Sequence, residues 1–173
     1  IDCTLRLAGH SLATINKAFP EGRLLGIDAD PDAVIIAREK LASYADSVVL
    51  VNDNFINLAK LCREKDFMPA DGILFDLGVS SLQLDTANRG FSFQSEANLD
   101  MRFGHEQVLT AADLINILPE FRLAQLLLEY GDEYKNKQIA RNIVKNRPIT
   151  TTRELVDIVE QAVGGRHGKL HPA

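Results

Sequence analysis

With 173 residues, 46% of them hydrophobic and 25% charged, the chain has the composition of a globular protein of one or two domains. No apolar run approaches the roughly 20 residues that span a bilayer and no signal-peptide pattern opens the chain, so no membrane partner and a cytoplasmic location are expected. The net charge of −5 argues against a uniformly basic nucleic-acid binder. Two cysteines, Cys3 and Cys62, match neither a disulfide framework nor a metal-ligand spacing; both are expected as buried small hydrophobes, and no metal is expected.

A strand-like run begins at Ile1 itself, so the chain is expected to start inside a longer protein. It leads into the turn Arg6-Leu7-Ala8-Gly9 and then a helix on which Leu12, Ile15 and Phe19 share a face, ended by Pro20-Glu21-Gly22. Three further runs of strand length, 23–28, 47–52 and 71–76, are nearly all apolar, as parallel strands covered on both faces should be. Between them, Asp30-Pro31-Asp32 opens a helix with Val34, Ala37 and Leu41 on its buried stripe. In the next helix Phe55, Leu58, Ala59 and Cys62 repeat at i, i+3, i+4 and i+7. Strand and helix alternating in this way predict a doubly wound α/β sheet.

The pattern changes after Asp76. Residues 77–109 show little periodicity, and an irregular stretch that long in a compact domain is usually functional. From Thr110 onward the pattern is helical, with capping boxes at Thr110/Asp113 and Thr151/Glu154. The expected organisation is an α/β domain over 1–105 that includes the loop 77–109, a helical domain over 106–166, and the start of a return to the first domain over 167–173.

In a doubly wound sheet ligands sit beyond the carboxyl ends of the strands. Asp28, Asp53 and Asp76 all fall at such ends. Asp28 also follows Gly9 at the distance expected of an acid that binds the ribose hydroxyls of a nucleoside cofactor, although the same residue begins the turn Asp28-Ala29-Asp30-Pro31-Asp32. Phe55 is placed either to stack on an adenine or to pack in the core. In the helical part, residues 134–153 hold Lys135, Lys137, Arg141, Lys145, Arg147 and Arg153 with no acid among them. Lys137, Arg141 and Lys145 recur every fourth residue and stripe one helix face, either as a solvated face or as a phosphate-binding one. The residues alone leave open a dinucleotide oxidoreductase, which lacks its G-x-G-x-x-G fingerprint here, an S-adenosylmethionine-dependent methyltransferase, and a non-catalytic binding module.

The segments "DGILFDLGVSSLQLD", "RGFSF" and "LDMR", in that order, resemble the bacterial 16S ribosomal RNA cytosine-N4 methyltransferase family. "GHS" at 9–11, "EGRLLGIDADPDA" at 21–33, "YGDE" at 130–133, "IARNIV" at 139–144, "PITTTREL" at 148–155 and "HPA" at 171–173 extend the resemblance over the whole chain. It implies a partial Rossmann-like S-adenosyl-L-methionine sheet of about four parallel strands with an inserted all-α domain, acting on the N4 amine of a cytosine in the 16S RNA of the small ribosomal subunit. It also implies cofactor contacts at Ala8, Gly9, His10, Asp28, Phe55, Asp76 and Gln83. Asp76 is the first candidate for the group beside the reacting methyl and amine, and Asp100 the second, with bracing of the loop through Arg102 as the other role of Asp100. Lys137, Arg141, Lys145 and Arg153 are the candidate RNA contacts. The family's usual loop reads G-x-G-G-H-S, whereas this chain has Arg6 and Ala8 in place of two of the glycines. A catalytically weakened RNA-binding scaffold is therefore the alternative expectation. A sheet that ended at its fourth strand would also expose an apolar edge, so poor solubility of this segment alone is expected.

Overall fold

The structure is a computed structural model, and it describes residues 1–104 and 106–164. The chain forms two compact units. One comprises residues 1–82 with Phe103, Gly104 and Glu106; the other comprises residues 83–102 and the described residues from 107.

The first unit is mixed α/β. Strands β1 (Leu24–Asp28) and β2 (Val48–Asn52) pair in parallel, with Leu24 opposite Val48 and Asp28 opposite Asn52. Alternation sends β1 side chains to two faces. Leu24 joins Leu5, Ile15, Val34, Ala37 and Leu41, which come from the opening segment and from α1 (Gly9–Ala18) and α2 (Pro31–Lys40). Leu25 and Ile27 join Leu61, Cys62 and Phe67, with α3 (Leu58–Glu64) on that side. Helices thus cover both faces of β1, which explains its unbroken apolar run. Gly26 cannot carry a side chain, because a Cβ there would lie 2.5 Å from Leu5 Cδ2 and 2.8 Å from Leu50 Cδ2.

Two of the expected strands do not form as strands. Residues 1–3 lie between β1 and residues 72–74, joined to each by a single parallel bridge, Asp2 to Gly26 and Asp2 to Leu74. Side chains explain why each ladder stops. The Thr4 amide, next in line to pair with β1, donates to Asp2 Oδ1 instead at 3.1 Å, and the Asp76 amide donates to Thr4 Oγ1 at 2.7 Å. Two smaller expectations also change. Phe19 leaves the helix in an extended conformation, as a residue before proline must, and is 51% exposed. Phe55 sits in a 3₁₀ turn, Phe55–Asn57, whose first amide donor is capped by Asn54, and is not on the buried stripe of α3. Asp30 caps α2 through the Asp32 amide, as expected, and Cys3 and Cys62 are both buried.

Helix α4 (Ser81–Asp85) spans the boundary between the units. The second unit holds α5 (Ala111–Ile117), α6 (Glu120–Gly131), α7 (Asn136–Lys145) and α8 (Thr152–Val163), and both expected capping boxes are present. Its core gathers Leu123, Ile139, Ile143, Ile149, Val159 and Ala162. The irregular segment 83–102 belongs to this unit, tied by a bridge between Asn98 and Thr151 and by the bond from the Leu99 amide to Thr150 O. Gly90 turns there with φ +71°, and a Cβ on it would meet Asn98 O at 2.4 Å. Residues 167–173, with their "HPA" motif, lie outside the described residues.

Candidate functional site

The ends of the parallel segments bring acids and the opening turn together. Asp28, the last residue of β1, accepts a hydrogen bond from the Arg6 amide on Oδ2 and another from the Asp30 amide on Oδ1, both at 2.9 Å. One carboxylate therefore fixes the turn after residue 5 and the start of α2 at once. Burial pushes its carboxyl above the usual carboxylate range, and the two amide donors pull the other way. Asp76 receives the Arg6 guanidinium as an ion pair, and His10 Nδ1 lies 3.7 Å from the same oxygen, Oδ2. The other arm of the guanidinium donates to Val79 O.

The turn itself has an unusual backbone. Arg6 has φ +50° and Ala8 φ +57°, the left-handed region that glycine enters freely and L side chains do not. These are the two positions at which the chain departs from the glycines of the G-x-G-G-H-S loop it resembles. Contacts on each side hold the conformation. Ser11 Oγ, in the first turn of α1, donates to the buried Asp2 carboxylate at 2.6 Å, and Lys40 Nζ donates to Leu7 O at 2.8 Å. Gly9 is open on its Cα side, with nothing within 4 Å of an added Cβ, and so is Gly78. Asp53, at the end of β2, is turned inward to cap its own loop, accepting from the Asn54 amide and Asn57 Nδ2. The Phe55 ring is 42% exposed and meets Phe75 edge-on at 5.5 Å.

Arg6, His10, Asp28 and Asp76 are therefore brought together within one unit. Gln83, Asp100 and the four basic candidates belong to the second unit. Gln83 is buried on α4. Asp100 is gripped from two sides by Arg102, Nε to Oδ1 at 2.8 Å and Nη2 to Oδ2 at 2.7 Å, and the guanidinium holds its carboxyl below the usual range. Lys137, Arg141 and Lys145 are exposed along one face of α7, opposite buried Ile139 and Ile143. Arg141 also faces Glu120 at 3.6 Å, and Arg153 pairs with Asp157 at 3.3 Å. The basic stretch is not uniform. Arg147 donates to the carbonyls of Ile115 and Leu118 at the end of α5, and Lys135 to Val163 O at the end of α8, so both serve the fold. A mostly apolar cavity of about 980 Å³ in the same unit is lined by Phe91, Phe93, Leu99, Met101 and Leu127 among others. Its polar lining comprises Ser92, Glu133, Tyr134, Lys135 and Thr152, of which Lys135 bonds Val163 O and Thr152 bonds Ser95 O.

Sequence reasoning missed Arg6 as a partner of Asp76, treating it only as a replacement for one of the family's loop glycines. The signal was there, since a cation replaces glycine in a loop otherwise surrounded by strand-end acids.

A parallel α/β unit with acids gathered at the carboxyl ends of its strands has the layout that α/β domains use to bind ligands. Comparison with known proteins narrows this class. The model of the MraW methylase family matches residues 1–173, and the chain belongs to that family. It is 54% identical over 173 residues to ribosomal RNA small subunit methyltransferase H of Dehalococcoides mccartyi, covering all of this chain and 50% of that protein. Proteins of the same name from Geotalea uraniireducens and Syntrophotalea carbinolica are 46% and 44% identical over 178 residues, with all of this chain and 57% of each relative covered. The chain thus spans about half the length of the curated relatives it matches.

Proposed function

We propose that this chain is the cofactor-facing part of an S-adenosyl-L-methionine-dependent methyltransferase that modifies the exocyclic N4 amine of a cytosine in 16S ribosomal RNA, in the small ribosomal subunit or its RNA. What carries the reading is the meeting of the turn 6–10, Asp28 and Asp76 at one end of the parallel segments, in a chain that belongs to the MraW methylase family. A Rossmann-like sheet with a helical insertion goes with it, its domains 1–105, 106–166 and 167–173; the bridges at Asp2 and Leu74 support four parallel segments in that sheet. Relatives more than half identical carry the methyltransferase name, which favours an enzyme over an RNA-binding scaffold.

The residues present fit this cofactor. Each Asp28 oxygen accepts one amide and retains a lone pair, which suits a vicinal ribose diol. Phe55 offers a half-exposed ring steadied by Phe75, apt for an adenine face. Open space beside Gly9 leaves room along Gly9 and His10 for the methionine end. The cofactor supplies a methyl group on a sulfonium that is already activated for in-line transfer. The chain's own work is then positioning and electrostatics. Asp76 accepts an N–H of the amine, localises its lone pair and takes the proton as the new bond forms. Arg102 grips both oxygens of Asp100, which supports a bracing role for Asp100, whereas Arg6 meets Asp76 through Oδ2. Lys137, Arg141, Lys145 and Arg153 meet RNA phosphates, and the target base is splayed out of its stack.

Titration calorimetry of the full-length protein with S-adenosylmethionine tests the reading. Micromolar binding is expected, with binding weakened and turnover lost in Asp76→Ala. Retention of both in that variant would overturn the role of Asp76, and no binding by the wild type would favour the scaffold.

A further inference from the structure

The Arg6 guanidinium sits on the Asp76 carboxylate, which the family resemblance counts among the cofactor contacts as well as placing it beside the reacting amine. It pairs with Asp76 Oδ2 and holds Val79 O with its other arm, so it clamps the start of the segment after residue 76 against the opening turn. Its own amide is bound to Asp28, which fixes where the side chain starts. The pair is about two-thirds buried, with side-chain exposures of 30% for Arg6 and 32% for Asp76. The backbone at Arg6 is left-handed, φ +50°, a conformation an arginine adopts only when its surroundings require it. A second cation, Lys40, reaches the same turn at Leu7 O, and His10 stands beside Asp76.

We infer that Arg6 is a tethered competitor for Asp76: its guanidinium occupies the carboxylate until the cationic end of the cofactor displaces it, so that Arg6 sets cofactor affinity and its dependence on charge. S-adenosylmethionine carries a sulfonium and an ammonium, and either placed at Asp76 takes over the interaction Arg6 makes. Arg6 would act on affinity without touching the reacting atoms; it is a positioning residue. The inference rests on the reading that Asp76 faces the cofactor.

Equilibrium binding by calorimetry on the full-length protein separates the possibilities, with wild type, Arg6→Met and Arg6→Lys compared. Methionine keeps length and removes charge; lysine keeps charge. Arg6→Met should bind S-adenosylmethionine about three- to tenfold more tightly, the worth of a partly exposed ion pair and one further hydrogen bond. Arg6→Lys should stay within about twofold of wild type, because a point charge still pairs with Asp76. Adenosine, which has the nucleoside but no cationic end, should bind wild type and Arg6→Met alike. Weaker or unchanged S-adenosylmethionine binding by Arg6→Met, with wild type binding measurably, overturns the competitor and leaves the proposed function standing. An equal gain for adenosine also overturns it, since it would trace to a general change in the turn. If neither protein binds S-adenosylmethionine, the cofactor reading fails and the competitor with it.

Discussion

Asp28→Asn separates the structural task of this carboxylate from its proposed ligand task. Asp28 accepts one backbone amide on each oxygen, from Arg6 and from Asp30, both at 2.9 Å. An asparagine presents one acceptor and one donor, so one of the two amides must face an NH₂ group. Losing a hydrogen bond to a charged acceptor removes about 1.5–3 kcal/mol, and the amide left behind is partly buried. Against this, the neutral side chain escapes the desolvation that raises the Asp28 carboxyl in the folded protein. The net expectation is a loss of roughly 1–2 kcal/mol. In urea unfolding that lowers the midpoint by roughly 0.5–1 M. Nicotinamide and methyltransferase cofactors alike engage such an acid through the ribose, so ligand binding alone does not test the claim. An unchanged urea midpoint, with S-adenosylmethionine binding lost, would show that Asp28 serves only the ligand and would refute the tie between β1, the turn and α2.

Two further outcomes follow from the second unit. Replacing Lys137, Arg141 and Lys145 together by glutamine should flatten the dependence of RNA affinity on salt by about 2 in log–log slope, at about 0.7 for each phosphate no longer neutralised. Arg147→Met should do the reverse, leaving the slope unchanged while lowering stability, since its guanidinium holds the carbonyls of Ile115 and Leu118. An unchanged slope in the triple variant would remove the α7 stripe from the RNA surface. Acid should loosen the two units differently. The Thr110 hydroxyl and then its amide hold the Asp113 carboxyl, the Thr150 and Thr151 amides that of Glu154, and Arg102 that of Asp100, below the ordinary values of 3.8 for Asp and 4.5 for Glu. Their stabilisation is full above those values and is lost as pH falls through the lower folded ones. Asp28 is raised, so its charged form opposes folding and that penalty fades as pH falls through its folded value toward 3.8. Hydrogen exchange corrected for intrinsic rate, followed from about pH 5 to pH 3, should lose protection first at the Asp113 and Glu154 amides. Uniform loss across both units would contradict this.

The sequence made some of this legible and hid the rest for physical reasons. Capping boxes at Thr110 and Thr151 and the Asp30-Pro31 start of α2 are local chemistry, settled within four residues, and all three are present. The two strands that formed are apolar up to their last residues, Asp28 and Asn52. The opening segment reads equally well as a strand, but Asp2 and Thr4 intercept the amides that would extend it. Such interception depends on which segments lie side by side, which periodicity does not report. The division of the basic stretch was hidden in the same way. Arg147 and Arg141 are indistinguishable in composition, yet one reaches carbonyls at the end of α5 and the other lies exposed beside Glu120.

The turn between residues 5 and 9 shows the same dependence on distant partners most sharply. Arg6 and Ala8 each take up a left-handed conformation that costs an L residue roughly 1–2 kcal/mol. Local preference opposes it at both positions, so the conformation must be imposed from outside. Four anchors do so: Asp28 takes the Arg6 amide, Asp76 takes the Arg6 side chain, Lys40 takes the Leu7 carbonyl, and Asp2 takes Ser11 just beyond the turn. Ala8 itself is fully buried against Leu5 and Ile15, which leaves its methyl no alternative site. Glycine would adopt the turn without this support. The substitution at Arg6 therefore exchanges backbone freedom for a side-chain contact with Asp76, while the residue 6 amide, which glycine would also supply, is held by Asp28. On the proposed reading, affinity and loop stability are coupled through the Asp28 and Asp76 carboxylates.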